Sequence, residues 1–142
     1  MKAMSAIRVI FVCVGNSCRS QMAQGLFNHL ASAYGVDGRA DSAGTRPEGH
    51  VSPEAIEVMA ERGIDIAHHT SDRVDPQKLM DYHYVISMGC ADRDVCPAAF
   101  PGDARDWGVR DPKGHAIETF REVRDEIEQR VRELLGALTG GA

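Results

Sequence analysis

Cys13-Val-Gly-Asn-Ser-Cys-Arg-Ser20 follows directly on the apolar, largely β-branched run Ile7-Arg-Val-Ile-Phe-Val12. A run of that kind suits a strand buried on both faces. The polar octet after it is too short and too rich in small residues to be anything but a loop. Beyond it, from Ser20 to about Tyr34, Met22, Leu26 and Leu30 recur at helical spacing. The unit is therefore strand, tight loop, helix. Five residues separate Cys13 from Arg19, and Gly15 gives the turn its freedom. A loop so placed can curl until successive backbone N–H groups, with the helix N-terminus, converge on one point. Val14, Gly15, Asn16, Ser17, Cys18, Arg19 and Ser20 then form an oxyanion cradle with the sulfur of Cys13 at its base.

Such surroundings favour the thiolate, which is the attacking form of cysteine. The planar guanidinium of Arg19 can hold two oxygens of an anion at once, which an ammonium cannot. Ser20 is positioned in sequence to donate to the sulfur, and Asn16 to brace the loop from within. A bare Cys-x5-Arg match also occurs in ordinary turns around a packed thiol. What strengthens it is its place between a buried strand and a helix.

Working outward, the segment Ala40–Ala43 reads as a short strand. Ser52-Pro53 pairs an N-cap with proline at the first helical position, and Gly63 stops the helix whose stripe is Ile56, Met59 and Ala60. Asp75-Pro76 opens a short helix ending near Asp81. Tyr84–Met88 reads as another buried strand. The stretch from Gly89 to about Gly114 is rich in Gly, Pro and Asp, long for a structureless connection, with room for a strand near Arg105 to Val109. Phe120, Val123, Ile127, Val131, Leu134 and Leu138 mark a long amphipathic helix, with a tail from Thr139 expected to fray. Strands alternating with helices predict one α/β domain over residues 1–142, a parallel sheet flanked by helices in three layers, with ligands at the carboxyl ends of the strands.

Composition limits the function. The 142 residues are 43% hydrophobic and 26% charged, as in an ordinary globular protein, with net charge −5. That balance disfavours nucleic acid or an anionic membrane as partner, so an anion has to be captured by a local site. The longest apolar run is too short to span a bilayer and no signal segment is legible, so a cytoplasmic location is expected. In a reducing compartment the four cysteines (Cys13, Cys18, Cys90, Cys96) read as catalytic or redox groups before structural ones. Zinc would require Cys90, Cys96 and histidines such as His68, His69 or His115. No Cys-x-x-C or His-x-x-x-His spacing supports it, and no metal is predicted.

The chain resembles the low-molecular-weight protein tyrosine phosphatase superfamily, and within it the thiol-dependent arsenate reductases. The resemblance is carried by Asn16-Ser-Cys-Arg-Ser-Gln-Met-Ala23, Asp41-Ser-Ala-Gly44, His69-Thr-Ser-Asp72, Cys90 to Pro97, and Trp107-Gly-Val-Arg-Asp-Pro112. It implies a four-stranded parallel sheet. It also implies a general acid in Asp111, which precedes Pro112 and which on sequence grounds alone reads sooner as a turn residue. Gln21 stands where the tyrosine phosphatases commonly have proline. Lys113-Gly114 stands where many of them have aromatic residues. Both features point to a small inorganic oxyanion.

The resemblance further implies a relay. Cys13, Cys90 and Cys96 would carry electrons in turn to arsenate, with thioredoxin or a low-molecular-weight thiol such as glutathione or mycothiol as donor. The Cys90–Cys96 spacing is one residue shorter than in the familiar thioredoxin-coupled members, which leaves the donor open. The alternative is a phosphatase working through a phosphocysteine with Cys13, Arg19 and Asp111 alone. A non-enzymatic oxyanion-binding or redox-sensing module would leave Asp111 without a task. Cys18 is a bystander or a protective partner for Cys13. Asn16, Ser42, Thr70 and Asp72 match a potassium-binding cluster of some arsenate reductases, but the glutamate of that cluster is Gln24 here. One charge is missing, so no tightly bound cation is predicted and the cluster is expected to brace the loop.

Overall fold

The computed structural model describes residues 6–89 and 103–140. Its sheet has four parallel strands, β1 (Ile7–Cys13), β2 (Gly38–Gly44), β3 (Tyr84–Ser87) and β4 (Asp103–Asp106), in the spatial order β2-β1-β3-β4. Between them run α1 (Arg19–Leu30) and α2 (Pro53–Ala60), and α3 (Ile117–Gly140) closes the described chain. Short 3-10 turns occupy Ser32–Tyr34 and Lys78–Asp81.

β1 is central, and its alternation explains its unbroken apolarity. Val9, Phe11 and Cys13 join the main core with α1, α2 and α3, where Phe27, Met22, Phe120 and Ile127 are fully buried. Ile10 and Val12 point the other way, to Val85, Ala43 and the segment carrying Val74, Leu79 and Tyr82. The flanking is uneven: the three long helices share one face, and among the described residues a thin layer covers the other.

Local signals held with small shifts. Ser52 caps α2, its hydroxyl accepting from Ala55 N–H at 3.4 Å, and Gly63 beyond the helix adopts φ +74°. The helix expected to reach Tyr34 breaks after Leu30 into a 3-10 turn. The strand sought at Arg105 to Val109 lies earlier, at Asp103–Asp106. The helix after Phe120 runs through Gly140, and Gly141 and Ala142 of the expected tail lie outside the described residues.

A parallel sheet puts all strand ends of one sense on one edge. β1 and β2 stay in register until Cys13 faces Gly44, and β3 ends beside Val12 at Ser87. At that edge, Met88 N–H donates to Val12 C=O at 2.9 Å, and Val109 N–H to Met88 C=O at 2.6 Å. The loop after β1 and the segments after β2, β3 and β4 meet there.

Candidate active site

The cradle takes its shape from the outward use of its carbonyls. The oxygens of Cys13, Val14, Gly15 and Ser17 accept from Thr45, Arg46, Glu48 and Ser52 N–H at 2.8–3.2 Å. The Asn16 oxygen accepts from Gln21 Nε2 at 3.1 Å, and that of Cys18 from Met22 N–H at 2.9 Å. A loop whose carbonyls are spent on its outer side presents its amides to the inner side. Asn16 N–H reaches Cys13 Sγ there at 3.2 Å. α1 begins at Arg19 with no side chain capping it and no acidic residue in its first turn, so the positive end of the helix serves the same space.

Asn16 organises the inside of the loop. It is completely buried and is the one non-glycine residue with positive φ (46°) among the described residues, a conformation asparagine tolerates better than most. Its Nδ2 donates to Ser20 Oγ at 2.8 Å, and its Oδ1 accepts from Asp72 N–H at 2.8 Å. Because Ser20 Oγ accepts from Asn16, its own hydrogen is left for Cys13 Sγ, 2.9 Å away. The expected Ser20 donor and Asn16 brace are thus one connected network.

Arg19 is aimed by two carbonyls. Nη1 donates to Val109 C=O at 2.9 Å and to Met88 C=O at 3.4 Å. Nη2 lies 3.8 Å from Asp111 Oδ2, which puts the exposed carboxylate of Asp111 at the mouth of the cradle. The other carboxylate oxygen, Oδ1, accepts from Lys113 N–H at 3.0 Å, so Asp111 is a turn residue and a mouth residue at once. Cys13, Gly15, Ser17, Cys18, Arg19 and Asp111 line one small cavity, whose opening also carries Glu48 and Lys113.

Both cysteines of the loop are free thiols. Burial is the main cause that pushes Cys18 up to about 11, so it stays protonated at neutral pH and is no rival nucleophile. Cys90 and Cys96 lie outside the described residues. Gly89, which precedes Cys90 in sequence, lies beside the guanidinium, an added Cβ there being 3.4 Å from Arg19 Nη1.

Three residues take roles in the site that the sequence does not disclose. Gln21 is fully buried, and its Nε2 donates to Asn16 C=O and, at 2.8 Å, to Thr70 C=O. With both amide hydrogens engaged, its Oε1 must accept from His69 Nδ1, 3.0 Å away, which fixes the imidazole as the Nδ1–H tautomer. Burial, with help from His68, holds His69 below the usual imidazole range. Glu48, the second, carries no motif. Gly44 is the third: a Cβ there would lie 2.5 Å from Val14 C=O and 2.9 Å from Asn16, so only glycine lets β2 run under the loop. Ser42 Oγ donates to Gln24 Oε1 and Thr70 Oγ1 to Asp72 Oδ2, each at 2.6 Å. Asp72 N–H on Asn16 Oδ1 ties the Thr70–Asp72 pair to the loop, while Ser42 and Gln24 are bonded to each other.

The comparisons agree with this geometry. A chain from Staphylococcus saprophyticus called arsenate reductase 2 is 41% identical over 127 residues, covering 88% of this chain and 93% of its own. A solved arsenate reductase in a phosphate-binding state is 36% identical with TM-score 0.77, covering 92% and 98% of the two chains. The low molecular weight protein tyrosine phosphatase of T. tengcongensis is 30% identical with TM-score 0.80, covering 93% and 99%. The family model described as low molecular weight phosphotyrosine protein phosphatase matches residues 8–141. From strand order to the Cys13–Arg19 loop, the chain belongs to the low molecular weight phosphotyrosine protein phosphatase family.

Proposed function

We propose that the protein reduces arsenate to arsenite at Cys13. The observation that carries this reading is the sulfur itself, bonded by Ser20 Oγ and Asn16 N–H at the base of an amide loop, with Arg19 at the side. The relatives named arsenate reductase extend over most of the chain.

Arsenate enters with its oxygens toward the loop amides and the guanidinium. The Cys13 thiolate attacks arsenic, a sulfur–arsenic bond forms, and an oxygen leaves as water after taking up protons, one of them from Asp111. Arsenic is still pentavalent at this point. The Cys90 thiolate then attacks the Cys13 sulfur. The sulfur–arsenic bond breaks with its electron pair on arsenic, which departs as arsenite, and a Cys13–Cys90 disulfide remains. Cys96 attacks Cys90 and frees Cys13, and thioredoxin or a low-molecular-weight thiol reduces the Cys90–Cys96 disulfide. The net electron count is two from the thiol donor to one arsenic. No bound metal takes part, and the protein works in the cytoplasm. The adjacency of Gly89 to Arg19 favours delivery of Cys90 to the site.

Cys90→Ser should abolish thiol-dependent arsenate turnover while sparing p-nitrophenyl phosphate hydrolysis, and Cys13→Ser should abolish both. If the wild-type protein hydrolyses the aryl phosphate rapidly but turns over no arsenate with thioredoxin, glutathione or mycothiol, the reduction is wrong. The phosphatase reading, which needs only Cys13, Arg19 and Asp111, would then stand.

A further inference from the structure

The mouth of the site is crossed by an ion pair. Lys113 Nζ donates to Glu48 Oε2 at 2.6 Å. The two residues approach from opposite walls: Glu48 from the segment after β2, and Lys113 from two residues beyond Asp111. Glu48 is tied to the loop, since its N–H donates to Gly15 C=O at 2.9 Å. Its carboxylate rests on the loop as well, with Oε2 only 2.8 Å from where a Cβ on Gly15 would be. An acid laid against an anion cradle opposes the cradle's purpose unless its charge is balanced, and Lys113 balances it. That contact in turn raises the Lys113 ammonium above its usual range.

Glu48 and Lys113 line the same small cavity as Cys13 and Arg19, so the joined pair stands in the way of entry and has to part for a substrate to pass. We propose that Glu48 and Lys113 are specificity-determining residues, a charged gate that discriminates small inorganic oxyanions from aryl phosphate esters. The inference rests on the oxyanion site of the preceding section and not on its redox step.

The discrimination follows from what happens after entry. A small ion lies entirely within the cradle, so the pair can close again above it. The ring of an aryl ester has to leave through the mouth, so while it is bound Lys113 and Glu48 stay apart. None of the described lining residues is aromatic, so among them nothing compensates the ring for the lost contact. The side chains of Lys113 and Glu48 are 61% and 25% exposed. The penalty of holding them open is therefore that of a solvent-screened pair, about two- to fivefold, increased by the steric obstruction of the two side chains.

The test is calorimetric and needs no turnover. Dissociation constants for inorganic phosphate and for phenylphosphonate, which cannot be hydrolysed, are measured for the wild type and for Glu48→Gln/Lys113→Met. The ratio of phenylphosphonate to phosphate constants should fall about two- to fivefold in the double variant. In the wild type, the ratio should also fall between low and high sodium chloride, because salt screens the exposed pair, while in the double variant it should stay flat. A ratio within twofold of wild type in a double variant of unchanged circular dichroism overturns the gate, as does a wild-type ratio insensitive to salt. Should the ratio respond while the wild type reduces no arsenate, the gate stands and the reduction falls.

Discussion

The floor and the mouth of the site hold charge and hydrogen bonds in opposite ways. At the floor, Asn16, Ser20 and Gln21 are completely buried, and each is satisfied by named partners of the loop or of the 69–72 segment. At the mouth, Asp111 and Lys113 are exposed and are held by ion pairs, to Arg19 and Glu48. Buried networks fix geometry because a lost partner leaves an unsatisfied group in a dry place. Exposed pairs are worth little energy and can exchange partners. One molecule thus has a rigid place for chemistry beneath an adjustable place for entry, and changes to the floor should cost far more than changes to the mouth.

The sharpest way to break that contrast is Arg19→Lys. The charge is kept, but the planar fork held by the Val109 and Met88 carbonyls is lost. The expected outcome is a fall of about a hundredfold in kcat/KM for p-nitrophenyl phosphate. A loss within threefold, read from steady-state kinetics, would mean that the guanidinium acts only as a point charge.

Next comes Asn16→Ala, which removes two buried side-chain bonds and leaves alanine at φ 46°. A loss of about 2–4 kcal/mol in urea unfolding is expected, with activity reduced in the molecules that remain folded. A change under 1 kcal/mol would show that Asp72 N–H and Ser20 find other partners, and the floor would be softer than described.

The smallest effect concerns His69. Its pKa is lowered in the fold, so below the ordinary imidazole range of about 6.5 the unfolded chain takes up the proton more readily. The stability that depends on neutral His69 is complete above that range and is lost as pH falls through it toward the lower native value. Melting temperature should decline from pH 7 to 5.5. In His69→Asn, whose amide can still donate to Gln21, the decline should be shallower. Parallel curves for the two proteins would remove His69 from the tether.

Much of this was legible in the residues. The run Ile7–Val12 and the octet Cys13–Ser20 are local in sequence, and local patterns report local structure, so β1, the loop and α1 could be read directly. Arg19 and Ser20 sit in the same octet as the sulfur they serve. What was not legible comes from distant parts of the chain. Gln21 meets Thr70 and His69, nearly fifty positions away, and Glu48 meets Lys113, 65 positions away, with no spacing rule to join them. Turning the loop carbonyls outward depends on backbone donors at Thr45–Ser52, where residue identity says little. Asp111 lay between: its Asp-Pro step alone reads as a turn, and the fold gives it both the turn bond to Lys113 N–H and a place 3.8 Å from Arg19.

The bare α-carbon of Gly44 has one more effect. The underside of the loop is moulded on main chain, which has no rotamers to change, with Val14 C=O 2.5 Å from the only place a side-chain carbon could go. A ring cast against such a surface keeps a single depth. Every visiting ion then meets the sulfur at the same distance, and its size can be judged only on the way in.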